Sequence, residues 1–408
     1  MTDSELPDLS NRTTKDAALR AFFGKLPLWN QIEAVPLDNA IGRVCAQALT
    51  SQNTLPVVRA SMMDGIAVAS HRFKNGIPET TGWIEGRDFA RADTGDDFDD
   101  AFDAVIPIEE VSFDGSGRLL LAEGVEVFEG SRVRRSGSAI RRGEPVASPG
   151  IILGPSDLAA LAMGGITEVP VVRKPVAAFI PTGTELVPAG TVPERGQNID
   201  CNTVMARHLL SDMGAEPWLF PIVSDAQEAM ERALEKALKT ADIVILNGGS
   251  SKGRDDLTAR LLKKHGEVVV HGIAAGPGRP MCLAIIDGKP VINLPGPVVA
   301  AYYGLDWCVR AVVSRHLGIP LIERERVSAF LAADMPCPPP IAFLCRLQVT
   351  RTGDTYVATP VPFRSATMGA WLSTNGQFVS QIGAGDHKKG DILAIELLRG
   401  KEFIPAGA

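Results

Sequence analysis

The segment Asn247-Gly248-Gly249-Ser250-Ser251-Lys252-Gly253-Arg254-Asp255-Asp256 concentrates residue types suited to holding an oxyanion. Its three glycines let backbone N–H groups approach a ligand, Ser250 and Ser251 donate hydroxyls, and Lys252 and Arg254 bring positive charge. The Walker A spacing is absent. An ordinary glycine-rich turn between strand and helix is the competing reading; phosphate or a similar oxyanion is the better match. Thr182-Gly183-Thr184-Glu185 closes another strand-like run, where a simple turn competes on even terms. Gly276-Pro277-Gly278-Arg279-Pro280 adds a guanidinium suited to bidentate phosphate contact. Asn293-Leu294-Pro295-Gly296-Pro297 reads as a strand-to-helix turn. Together these loops make a binding site a stronger reading than any one alone.

Other charge clusters are less specific. Asp93, Asp96, Asp97, Asp99, Asp100, Asp103, Glu109 and Glu110 read first as a solvated acidic loop and second as a divalent-cation site. Arg132, Arg134, Arg135, Arg141 and Arg142 suit surface solvation or an intersubunit patch better than direct ligand contact. The cysteines and histidines are scattered without C-x-x-C or H-x-x-x-H spacing, which argues for reduced thiols and against a His/Cys zinc site.

Strands and helices must alternate to position the loops. Val176–Ile180 and Ile243–Leu246 read as buried strands, and Leu219–Val223 as another. Asn202–Met213, Ala226–Lys239 and Asp255–Lys264 read as helices. Units of this length imply a mostly parallel sheet with helices on both faces, binding ligands outside the carboxyl ends of its strands. Upstream, Lys15–Phe23 reads as a helix, and short runs at 66–68, 104–106 and 119–121 as a small β domain. Ser156 is the expected N-cap of a helix through Met163. The Pro-rich stretch Met335–Pro340 precedes alternating runs at 343–349, 355–361 and 392–397, a terminal β domain.

Composition bounds the partners. The chain has 408 residues and a net charge of −7, with 22% charged and 6% aromatic residues. That acidic balance argues against nucleic acid, since phosphate contacts need a Lys/Arg surplus. The acidic N-terminus is not a secretory signal, and no long uncharged apolar stretch occurs, so a cytoplasmic protein off the membrane is expected.

Six motifs in order resemble those of the molybdopterin molybdenumtransferase family (bacterial MoeA, the E domain of gephyrin), over nearly the whole chain. Ser61-Met62-Met63-Asp64-Gly65-Ile66-Ala67-Val68 resembles S-x-M-D-G-Y-A-V, and Thr94-Gly95 with Asp103–Glu110 resembles T-G…A-D-A-V-V-x-x-E-E. Pro181–Leu186 is similar to S-T-G-D-E-L, Gly248–Asp256 to G-G-V-S-x-G-x-x-D, and Pro277–Pro280 to P-G-K-P. Leu294-Pro295-Gly296 matches the start of L-P-G-N-P.

The resemblance implies a doubly wound α/β molybdopterin-binding domain (175–325), a discontinuous elongated domain (1–50 and 131–174), a small β domain (51–130) and a C-terminal β domain (326–408). It implies a homodimer that inserts molybdate into adenylylated molybdopterin and releases AMP with Mg²⁺. A molybdopterin adenylyltransferase or a molybdoenzyme would be a further partner. Asp64, Asp225, Asp256 and Glu185 would be the catalytic carboxylates, with Asp225, Asp256 and Glu185 at the metal. Thr94 (from the other subunit), Thr182, Gly183, Gly248, Gly249, Ser250, Ser251, Lys252, Gly253, Arg279, Pro295 and Gly296 would contact the pterin nucleotide.

Departures from the pattern keep a second reading open. The family's two lysines ahead of P-G-K-P fall on Gly272 and Gly276, although His271 and the charge of Arg279 remain. Other family residues fall on Ala139, Thr184, Pro297 and Ile66. The alternative to an insertase is thus an altered paralogue that carries a pterin phosphate as carrier, chaperone or scaffold. A purely structural dimeric partner rests on fold analogy alone.

Overall fold

The computed structural model describes residues 13–29, 31–249, 255–362 and 367–407, with the side chains of 255–257 excluded. The chain divides into two compact units: Ile32–Val172, and the N-terminal segment through Gln31 together with Arg173–Ala408.

In the smaller unit, Ile32–Pro36 pairs antiparallel with Glu168–Val172, and Leu49–Thr50 with Pro145–Ala147. Cys45, Leu153, Leu161, Val169 and Val171 form a core beneath the helix Pro155–Met163. That helix starts one residue before Ser156. The expected serine cap is replaced by Gly154, whose N–H donates to the Asp157 carboxylate (2.7 Å), so a first-turn acid does the capping. Inserted between these segments, Gly65–Val68 lies between Phe89–Ala92 and Ala104–Pro107 in an antiparallel sheet. Ile66, Val68, Phe89 and Ile106 pack on one face of it, Ala67, Ala92, Phe98 and Val105 on the other.

The larger unit holds the α/β sheet. Its elements are β1 (Val176–Pro181), α1 (Asn202–Asp212), β2 (Glu216–Leu219), α2 (Gln227–Thr240), β3 (Ile243–Asn247), α3 (Asp255–His265), β4 (Glu267–His271), β5 (Cys282–Ile286), β6 (Lys289–Leu294) and α4 (Val298–Gly304). The strand order is β2-β1-β3-β6-β5-β4; the first four are parallel, and β5 is antiparallel to both of its neighbours. Ala178, Ile180, Val244 and Leu246 pack against Leu234 and Ala237 of α2. The strand expected at 219–223 ends at Leu219 instead. Pro221 has no N–H for the ladder, and only a single bridge, Val223 to Thr182, follows it. The helix Lys15–Lys25, expected with 1–50 in the elongated domain, packs on β4 and β5. Lys25 pairs with Glu267, and Arg315 donates to Phe23 O.

At the C-terminus, strands 342–352, 355–361, 326–331, 392–397 and 376–379 pair in that order, and the last returns to the first, closing a small barrel. The two-residue strand Ala275–Gly276 adds to Ala342–Phe343 of that barrel. All six cysteines are free and only Cys201 is exposed. No described helix is long and apolar enough to cross a membrane.

Candidate functional site

β1, β3 and β6 run parallel as buried apolar strands, so the loops that follow them leave one edge of the sheet side by side. At about 4.8 Å per strand, the outer two of these loops start roughly 10 Å apart. β4 runs the same way as β6, and His271, Cys282 and Asn293 lie level across β4, β5 and β6. The Gly272–Met281 loop carrying Arg279 therefore emerges from the same edge.

Four asparagine contacts tie the loops together. Asn247, the last residue of β3, accepts at its backbone O from the Thr182 N–H (2.8 Å). Its side-chain Nδ2 donates to Pro295 O (2.8 Å), while its Oδ1 accepts from Asn202 Nδ2 (2.8 Å). Asn202, at the start of α1, also donates to Gly296 O (2.7 Å). Both side chains are buried. In the sequence Asn202 reads only as the opening of a helix, and nothing local signals these contacts. The residue at 297 that would be Asn in the family pattern is Pro, and the amides of Asn202 and Asn247 occupy this turn instead.

Gly183 and Gly248 shape the edge rather than supply donors. The Gly183 N–H goes to Val223 O (3.1 Å) and the Gly248 N–H to Leu294 O (3.0 Å). Gly248 has φ +123°, and a Cβ there would lie 2.3 Å from Thr182 O, so only glycine fits. Neither N–H is therefore left to donate to an anion. Ser250, Ser251, Lys252, Gly253 and Arg254 lie outside the described residues. Beside this loop, Thr258 Oγ1 and Asn293 Oδ1 are buried without a hydrogen-bond partner among the described residues. Thr258 Oγ1 sits 2.6 Å from where a Gly249 Cβ would be.

Asp225 follows the β1 loop in space: its carboxylate accepts from the Thr184 N–H (3.3 Å), and it is half-buried. Glu185 is exposed one residue further along. Asp256 lies in the first turn of α3, and its side chain is outside the described residues. Among the described residues neither Asp225 nor Glu185 belongs to a group of three His, Cys or carboxylate side chains within coordination reach of one another. An open cavity of about 580 Å³ adjoins this loop, lined by Gly183, Thr184, Leu186, Asp200, Thr203 and Phe220. That volume is in the range of small-molecule sites. A larger cavity of about 840 Å³ lies elsewhere in this unit, where buried Asp306 is already held by Arg310 and Arg324. The strand ends are the candidate site because Thr258 Oγ1 and Asn293 Oδ1 lie there, buried and without a partner among the described residues.

One cation near this edge was not read from the sequence. Arg346 lies over the rings of Trp371 (4.7 Å to the centroid) and Tyr302 (5.2 Å), and its Nε donates to Thr374 Oγ1 (3.1 Å). Among the described residues its buried Nη1 has no partner, nor do Tyr303 Oη and Trp371 Nε1. Burial pushes the Tyr303 phenol pKa far above its ordinary value. These groups line a cavity of about 190 Å³ with Val298 and Val299, directly after the Pro295-Gly296-Pro297 turn. Gly276, in contrast, is packed: a Cβ there would meet Ile341 Cδ1 at 2.6 Å and Phe343 at 3.4 Å. Gly272 has φ +88°, a backbone state that disfavours lysine.

In the smaller unit, Asp64 Oδ1 accepts from both the N–H (2.7 Å) and hydroxyl (2.8 Å) of Thr94. These two bonds, with help from Arg91, hold the Asp64 carboxyl below its ordinary pKa. Gly65 is required because a Cβ would fall 1.9 Å from Ile106 O. The Gly95 N–H donates to Ser61 O (2.9 Å), which joins the two motifs. The acidic run supplies turn caps and pairs: Asp103 takes both donors of Ser70, and Asp100 pairs with Arg59. Among the described residues it forms no metal-ligand cluster.

Residues 13–165 match "MoeA N-terminal region (domain I and II)" and residues 178–315 match "Probable molybdopterin binding domain". The chain is 30% identical to the molybdopterin molybdenumtransferase of Haemophilus influenzae, over 75% of this chain and 78% of that one. It is 25% identical to that of Bacillus subtilis over 90% of both. The crystal structure of a molybdopterin biosynthesis MoeA protein from Pyrococcus horikoshii superposes with a TM-score of 0.78 at 26% identity, covering 96% of this chain and 100% of that one. The chain belongs to the molybdopterin molybdenumtransferase (MoeA) family.

Proposed function

We propose that the protein acts in molybdenum cofactor biosynthesis, inserting molybdate into adenylylated molybdopterin and releasing AMP. The observation that carries this reading is the set of loops after β1, β3 and β6, locked by Asn247 and Asn202 beside buried polar atoms that have no partner among the described residues. Preorganised donors at such an edge stabilise developing charge without reorganising during the reaction. The work of this chain's residues is to hold a phosphate at the Gly249–Arg254 loop, with Arg279 and Arg346 as further cations. Thr182, Pro295 and Gly296 shape the turn beside it.

Asp225 and Glu185 offer only carboxylate oxygens, the hard donors that suit Mg²⁺, and together with Asp256 they would hold it. When bound, that ion would neutralise phosphate oxygens. The protein is expected to work as a homodimer in the cytoplasm, and sedimentation velocity tests the dimer.

The direct test incubates purified protein with adenylylated molybdopterin, molybdate and Mg²⁺. AMP release that depends on molybdate supports the reading; release no faster than without protein rejects it. Gly248→Ala should abolish the reaction, because its Cβ overlaps Thr182 O. The packing at Gly276 favours one other reading, a carrier that binds a pterin phosphate without turnover. It predicts pterin that co-purifies while AMP release stays at background.

A further inference from the structure

We propose that Glu231, Glu235 and His265 form a site for one borderline divalent cation of the zinc, nickel or cobalt type, clasping α2 to α3. One ligand atom from each residue lies within 4.8 Å of the others. Glu231 and Glu235 are four apart on α2 and so share a face. His265 is the last residue of α3, which packs against α2. Two of the ligands are already held in place: His265 Nε2 is 2.7 Å from Glu231 Oε1, and each side chain is only 18% exposed.

The donor set chooses the metal. One imidazole with two carboxylates suits zinc, nickel or cobalt, whereas Mg²⁺ and Ca²⁺ take all-oxygen sets. A cation at the end of α3 also meets the negative pole of the helix dipole. Lys264 competes, since its Nζ lies 2.5 Å from Glu231 Oε1. Its side chain is 59% exposed and such a pair is weak, so the ammonium can turn to water. The site is separate from the carboxylates proposed for catalysis. His265 is ten residues along α3 from Asp255, roughly 15 Å at the helical rise. A clasp here would fix the helix that directly follows the glycine loop.

Zinc titrated calorimetrically into the full chain tests this, first with wild type and then with Glu235→Gln and His265→Asn. The expected result is one saturable site per chain, a melting temperature that rises with zinc, and binding weakened at least roughly tenfold in both variants. Glu235 is exposed, so Glu235→Gln keeps the helix packing and isolates the ligand effect. No saturable binding, or wild-type affinity in both variants, overturns the proposal. AMP release measured without added zinc should be the same in Glu235→Gln and wild type, since the site lies outside the catalytic loops.

Discussion

Truncating Asn247 to alanine leaves Pro295 O without its donor and one of the bonds to Asn202 unmade, in a setting that water does not reach. A buried polar group left unpaired costs about 1–3 kcal/mol, so Asn247→Ala should lower unfolding stability by that amount in urea titration. It should also slow AMP release more than it raises KM, because it loosens three loops together rather than one ligand contact. Asp64 makes a different prediction. Its folded pKa lies below the unfolded value of about 3.9, so its contribution to stability is complete above that value and is lost as pH falls through the folded pKa. Unfolding followed against pH should show wild type and Asp64→Asn differing by a constant amount at neutral pH and converging below about pH 4. A gap that persists at low pH would point to a cause other than the carboxylate. The two cases also differ in how readable they were. Asp64, Gly65 and Thr94 stand inside short motifs whose spacing carries the signal. Asn247 meets Asn202 and Pro295 from 45 and 48 residues away, and Asn202 meets Gly296 from 94, so nothing local marks them.

At the scale of elements, the order of strands and helices in the α/β domain was legible because buried apolar runs of five or six residues alternate with amphipathic segments. What escaped was pairing that depends on distant partners: the early end of β2 at Leu219, the packing of Lys15–Lys25 on β4 and β5, and the attachment of Ala275–Gly276 to the barrel. That last attachment decides what can be restored near Arg279. Lysine introduced at Gly276 meets the Ile341 side chain, so Gly276→Lys alone should destabilise by about 1–3 kcal/mol, the usual effect of overpacking. Ile341→Ala makes room, and the double variant should be more stable than the sum of the single effects, since residues in contact couple. With the cation accommodated, the double variant should release AMP faster than wild type at low molybdate. Strict additivity in a double-mutant cycle, or no gain in rate, would show that the packing at Gly276 does not limit this site.

At the scale of the whole molecule, the two units have separate cores, and that separation gives the buried ionic cluster of the larger unit a readable signature. Asp306 has only 2% of its side chain exposed and accepts from Arg324 at 2.5 and 2.8 Å and from Arg310 at 3.1 Å. Burial pushes its carboxyl pKa up, but the two guanidiniums outweigh this and hold it below the ordinary value. Asp306→Ala leaves two cations facing each other across a buried gap. The expected loss is about 3 kcal/mol, the low end for a broken buried pair, because each arginine keeps about a quarter of its side chain in water. The loss should belong to one unit. A chain with two cores is not obliged to unfold in one step, so scanning calorimetry should give a ratio of calorimetric to van't Hoff enthalpy above one. The variant should lower the transition of the larger unit and leave that of Ile32–Val172 in place. The sign with pH follows from the depressed carboxyl: the difference between wild type and variant is complete at neutral pH and shrinks as acid protonates Asp306 below its unfolded pKa of about 3.9. A single transition that shifts as a whole would mean that the units unfold cooperatively, and Asp306 would then stabilise the entire chain.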